Sequence, residues 1–155
     1  MTPDDALHTI TRLAAAEHWL AVLVTTRPDG EPGVSVVNAG ILTHPVTGDT
    51  TLACVSRGRT AKLTNLRTHP RATLVFRSGW EWISATGPVD LAGPDDPHPD
   101  IDDLPQLLRD IYTAAGGKHP NLDEYDRVMR EDRRTALLLR PTRYTTNPHT
   151  AHHQA

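Results

Sequence analysis

Cysteine is almost missing from this chain: Cys54 is the only one, which excludes a disulfide within it. Cys54 alternates with Leu52 in an apolar strand, so a buried, inert thiol is expected. No apolar run approaches the ~18 residues that a membrane-spanning helix needs. The opening Met1-Thr-Pro-Asp-Asp lacks the basic start and apolar centre of a secretion signal. A soluble, cytoplasmic protein without a membrane partner is the expectation. The common catalytic signatures are also missing. No Gly-x-Gly-x-x-Gly, Gly-Lys-Ser/Thr or Gly-x-Ser-x-Gly stretch occurs, so a dinucleotide fold, a phosphate loop and a hydrolase elbow have no anchor. There are nine histidines, but no His-x-x-x-His pair lies on an expected helix; His149, His152 and His153 crowd into the terminal segment. No metal site is expected. The acidic run Asp95, Asp96, Asp100, Asp102 and Asp103 fits no calcium loop and reads as a solvated loop leading into a helix.

The 155 residues are enough for one domain with a real core, placed over 1–146, with 147–155 as a flexible tail. Net charge is −3 and the isoelectric point near 6.3, so no global basic field exists to attract nucleic acid.

Apolar spacing of three and four predicts a helix over residues 3 to 17, capped by Asp4 or Asp5. Strands follow over 19–26 and 33–42, joined at Pro28-Asp29-Gly30, and another spans 50–55. A short helix is expected at 60–68, then strands at 71–77 and 80–91. Helices over 102–115 and 121–134 precede a last strand from Thr135 to Tyr144. Hairpins without long helical crossovers argue against a parallel sheet, so a mainly β (α+β) fold with flanking helices around a small six-stranded antiparallel barrel is expected.

One stretch carries unusual charge. Between Val55 and Gly79 there is no acidic residue, but six basic ones: Arg57, Arg59, Lys62, Arg67, Arg71 and Arg77. Lys62 is one of two lysines beside fourteen arginines. A helix entry has unpartnered amides and a positive dipole end, so cations gathered there suit a phosphorylated small molecule. Lys62 and Asn65 lie three apart on one face, Leu63 and Leu66 on another, and Thr60 can cap. An ordinary amphipathic helix with solvated cations is equally compatible with this pattern.

The strand, Pro28-Asp-Gly-Glu-Pro32, the two following strands, Arg59-Thr-Ala-Lys-Leu-Thr-Asn-Leu-Arg67, Pro70-Arg-Ala72, a strand and Gly79-Trp80 occur in an order that resembles the pyridoxamine 5′-phosphate oxidase-like split-barrel superfamily. Within it, the chain is similar to the actinobacterial branch that binds the deazaflavin coenzyme F420; the likeness runs from about Leu20 to Tyr144 and includes Lys118-His-Pro-Asn-Leu-Asp-Glu-Tyr125. The resemblance implies an FMN-binding type of split barrel and a homodimer with the cofactor cleft between subunits. It puts Lys62 and Asn65 at the cofactor's phosphate, with Thr60, Arg59 and Arg57 beside them. It sets Ser35, Val36 and Asn38 beneath the ring, and Trp80 and Trp82 reaching toward the partner's cofactor. Either tryptophan is also compatible with a core role.

The reaction it implies is hydride transfer from reduced F420 to an enone-type double bond of a bulky conjugated small molecule, for example a tetracycline-type antibiotic intermediate. Tyr144 and Asn147 are candidates for substrate contact. The same fold accommodates FMN as the alternative cofactor in an oxidase or reductase. It also accommodates a non-catalytic carrier of flavin, deazaflavin or haem, for which His44, His69 and His119 are the candidate axial ligands.

Overall fold

The computed structural model describes residues 1–147. Helix α1 (Pro3–Ala16) is followed by strands β1 (Leu20–Thr26), β2 (Pro32–Thr43) and β3 (Thr50–Ser56), then helix α2 (Ala61–Thr68). Strands β4 (Arg71–Ser78) and β5 (Glu81–Ala92), helices α3 (Leu104–Ala114) and α4 (Leu122–Glu131), and strands β6 (Thr135–Leu139) and β7 (Arg143–Thr146) complete the chain. All strand pairings are antiparallel. Strands run in the order β4-β1-β2-β3-β6-β5 and the β4–β5 pairing closes the ring: a six-stranded barrel, with β7 outside it on β5.

The barrel interior holds Phe76, Leu52, Leu74 and Ile83, and α1 adds Ile10 and Leu13. A second cluster lies outside the barrel wall, where Leu107, Leu108 and Ile111 of α3 cover Ala53 of β3 and Ala136 and Leu138 of β6. Strands β3 and β6 are thus buried on both faces, which is why they read as continuous rather than alternating apolar runs. Truncating a residue such as Leu138 to alanine would cost about 2–5 kcal/mol, through lost transfer energy plus the cavity left behind.

Four expectations shift. Thr2, not Asp4 or Asp5, is the N-cap of α1: its hydroxyl accepts from the Asp5 amide at 3.1 Å, and Asp5 returns the bond in a capping box. Helices α3 and α4 are shorter than expected, Asp103 and Asn121 serving as their caps. Trp80 lies in the turn before β5. The expected final strand, 135–144, is interrupted at Arg140–Thr142. Pro141 has no amide to donate, and the backbone there crosses so close to β5 that a Cβ on Gly87 would sit 1.9 Å from the Arg140 carbonyl oxygen. Bonds from the amides of Arg140 and Thr142 to the carbonyls of Pro88 and Thr86 carry the pairing through the bend. Among the described residues, no helix is long and apolar enough to cross a membrane. Residues 148–155 of the expected tail, including its three histidines, lie outside the described residues.

Candidate functional site

The site forms where β3 ends and α2 begins. After Ser56 the chain turns through Arg57-Gly58-Arg59 against the segment following α4; the Gly58 amide donates to the Asp132 carbonyl at 3.0 Å. Arg59 takes a left-handed conformation (φ 63°), which redirects the chain into α2. Thr60 is the N-cap, but its side chain does not cap. Its hydroxyl pairs instead with Ser56 Oγ at 3.0 Å. The expected cap is therefore a cross-turn clasp, and α2 starts without a side-chain acceptor for its first amides and with no acidic residue in its first turn. That is the donor set of an anion receptor.

Two cavities, about 470 and 570 Å³, meet at this point and share Thr60 and Lys62 in their walls. The larger lies between α2 and the β1–β2 hairpin, with Arg27, Ser35 and Asn65 in its lining. The smaller has Val36, Val37 and Asn38 of β2 on one side and Tyr112, Tyr125 and Met129 of α3 and α4 on another, with Arg57 and Arg134 at its edge. Together they make one groove around the start of α2.

Most of the residues expected at a cofactor fall on that groove: Lys62, Asn65, Thr60, Arg57, Ser35, Val36 and Asn38. Two of them have additional duties. Asn65 is buried and donates from Nδ2 to Thr25 Oγ1 at 3.0 Å, inside a space that only Gly33 leaves open, since a Cβ there would lie 2.7 Å from that nitrogen. Asn38 donates from Nδ2 to the carbonyls of His18 at 3.0 Å and Ala115 at 3.1 Å, tying β2 to the α1–β1 corner and the end of α3. His18 and Trp19 both have positive φ at that corner, so the bond steadies a strained turn.

The remaining candidates lie elsewhere. Arg59 is exposed, and its charge acts on Asp95, which Arg133 and, more weakly, Arg59 hold below the usual carboxylate range. Trp80 and Trp82 belong to the β4–β5 hairpin; Trp80 is 86% exposed. Asn147 is bonded there as well, accepting from the Trp82 amide at 3.3 Å and donating to the Trp80 carbonyl at 3.1 Å. The Tyr144 ring packs against the barrel core, and burial raises its pKa. None of these five lines either cavity. Neither ring nitrogen of His44 is left for a haem: Nε2 meets Asp90 Oδ2 at 3.0 Å, and Nδ1 accepts from the amides of Val46 and Thr47. His69 is exposed, and His119 leans edge-on against Tyr125. Cys54 is buried inside the wall, where desolvation pushes its pKa up to about 12 and keeps the thiol protonated.

Sequence reasoning missed Arg27, Tyr112, Tyr125, Met129 and Arg134. Two of the three tyrosines face each other here, with ring centroids 4.7 Å apart, but no spacing rule links helices in different segments.

The groove opens onto an apolar face of the barrel. Cross-strand register puts Val22 beside Val36 and Val75, and Val24 beside Val34, on one side of the sheet. Val34 and Val36 are 64% and 65% exposed, and Leu20 is 46% exposed.

Comparison with known proteins agrees with the split-barrel fold. The family model for pyridoxamine 5′-phosphate oxidase matches residues 10–147. No curated protein matches the chain. Among solved structures, the conserved hypothetical protein Rv2991 of Mycobacterium tuberculosis superposes with a TM-score of 0.63 at 15% identity, over 91% of this chain and 89% of that one. An FMN-binding, pyridoxamine 5′-phosphate oxidase-related protein of Nostoc punctiforme gives 0.60 at 16% identity, over 94% and 84%. A protein described as an F420 reductase gives 0.55 at 18% identity, over 82% and 89%. At such identities the likeness is one of fold.

Proposed function

Since the chain belongs to the pyridoxamine 5′-phosphate oxidase family, a flavin- and deazaflavin-binding group, we propose that it is a reductase using coenzyme F420 to reduce an electron-poor carbon–carbon double bond in a bulky conjugated molecule. One observation carries the reading: Lys62 stands in the wall shared by both cavities, beside the uncapped first turn of α2. An ammonium and free amides at one point suit a phosphate ester. The donor set fits the deazaflavin better than FMN. Arg27, exposed and ion-paired with Asp29 at 3.1 Å, lines the larger cavity together with Lys62 and gives it a second cation for an acidic tail, which FMN does not have.

A reduced deazaflavin held here would supply a hydride. The chain's own groups bind and orient. Lys62 and Arg27 hold the anionic end, and Val36, which projects outward from β2, offers an apolar surface for a flat ring. Conjugate reduction would form a C–H bond at the β carbon, shift the π pair of the double bond onto the carbonyl oxygen as an enolate, and finish with a proton added at the α carbon. The hydroxyls of Tyr112 and Tyr125 donate to the carbonyls of Lys118 and Leu108, so water is assigned the proton delivery.

The same reading includes a homodimer formed on the apolar face. Val36 belongs to both the groove and that face, so a second copy docked there would close the groove's open side and exclude water.

Fluorescence titration of apo-protein with F420 and with FMN tests the choice of cofactor; tighter binding of FMN would overturn it. Incubation with reduced F420 and a panel of enones, followed at the cofactor's absorbance, tests the reaction. Tight F420 binding with no turnover of any acceptor would make the protein a carrier.

A further inference from the structure

The smaller cavity has a composition that a cofactor phosphate does not account for. Its α3–α4 wall is aromatic and soft: the Tyr112 and Tyr125 rings are tilted 32° to each other, and Met129 follows one turn on. Both tyrosine hydroxyls are committed to backbone carbonyls, at 3.0 and 3.1 Å, so the rings contribute apolar surface to the wall. Burial pushes the Tyr125 pKa up to about 12, which keeps that ring neutral. The cavity edge is cationic. Arg134 Nη2 lies 3.2 Å from Asp132 Oδ2, and Arg57 Nε lies 4.0 Å from the same oxygen. One carboxylate thus answers two guanidiniums, and Lys62 adds a third cation, while among the described residues no acidic one lines the cavity.

The wall is also preformed. Arg109 grips Asp126 through two bonds, at 2.9 and 2.6 Å, locking α3 to α4. Asn38 bonds the end of α3, and Gly40 lets that helix lie against β2 so closely that a Cβ would come within 2.5 Å of the Ala114 carbonyl carbon. A rigid, half-apolar cavity of about 470 Å³ suits a small molecule, whose pockets typically run about 300–1,000 Å³.

We infer that the α3–α4 side of this cavity, across from Val36, is the acceptor subsite and that it selects a flat, conjugated molecule carrying a carboxylate or similar anionic group, held by Arg134 and Arg57 against the Tyr112–Tyr125–Met129 wall. The inference rests on the proposed reductase reading for the word acceptor; the ligand chemistry rests on the cavity itself.

The test uses two fluorescent probes of one shape, anthracene-9-carboxylate and anthracene-9-carboxamide, titrated into the full chain with and without saturating F420. The carboxylate is expected to bind at least tenfold tighter than the neutral amide, and to bind together with F420. Arg134→Gln should shrink that gap to less than threefold while changing F420 affinity less than twofold. Arg57→Gln, in an exposed turn, should also narrow it and serves if the first variant folds poorly. Equal binding of the two probes, or a gap that survives both substitutions, overturns the inference. So does displacement of the carboxylate by F420, which would assign these arginines to the cofactor. Selective, Arg134-dependent carboxylate binding by a chain with no affinity for F420 would support the subsite while ending the cofactor reading.

Discussion

Asn65 Nδ2 donates to Thr25 Oγ1 at 3.0 Å, a buried bond that joins α2 to β1 across forty positions of sequence. The bond sets the distance between the helix and the β1–β2 hairpin, and so the width of the larger cavity. Asn65→Ala leaves Thr25 without its donor and opens a void, which should cost about 1–3 kcal/mol of stability. Urea denaturation checks this; an unchanged midpoint would show that the amide serves ligand alone.

Lys62 gives the opposite expectation. It is half-buried in the groove wall and packs no core. Lys62→Ala should weaken F420 binding by about 1.5–3 kcal/mol, the range of a charge-assisted hydrogen bond. Stability should stay within about 0.5 kcal/mol of the parent. Titration by cofactor fluorescence reads the first quantity, and thermal melting the second.

This contrast marks what could be read from sequence and what could not. The strand segments, their antiparallel barrel and the α2 packing pair Leu63 and Leu66 follow from residue pattern, and both leucines are buried. Helical spacing puts Asn65 on the Lys62 side and so points it to ligand. Spacing does not reveal that Thr25 and Gly33 come within reach, since that contact depends on barrel closure. Residue type makes Thr60 a cap candidate, but Ser56, across a turn of αL geometry, captures the hydroxyl. The α3–α4 wall was invisible for a similar reason. An amphipathic pattern says that a helix buries one face, without naming the strand it covers or the cavity it leaves.

The α3–α4 lock has a pH signature. Arg109 holds the Asp126 carboxyl below the usual range, mainly through their hydrogen bonds. A carboxylate with a depressed folded pKa adds stability that is fully present above its unfolded pKa, ~3.9 for aspartate. That contribution is lost as pH falls through the lower, folded value. Stability should therefore decline below about pH 4 with a component that Asp126→Asn removes. Urea midpoints measured from pH 6 down to pH 3 provide the check: a wild-type and an Asp126→Asn curve that stay parallel throughout would discount the pair.

The exposed valines make the assembly testable without any ligand. Val34 and Val36 project from β2 beside Val22 and Val24 of β1, on a face whose apolar exposure a lone barrel gains nothing from. If a second copy covers that face, Val34→Glu places a carboxylate in the interface of each subunit, and the symmetry of a homodimer doubles the penalty. Folding should be hardly affected, because Val34 is already 64% exposed in the single chain. Light scattering behind size-exclusion chromatography should give a dimer mass for the parent at micromolar concentration and a monomer mass for Val34→Glu, with matching circular dichroism. A monomeric parent would remove the homodimer and would leave the groove to exclude water by the α3–α4 wall alone.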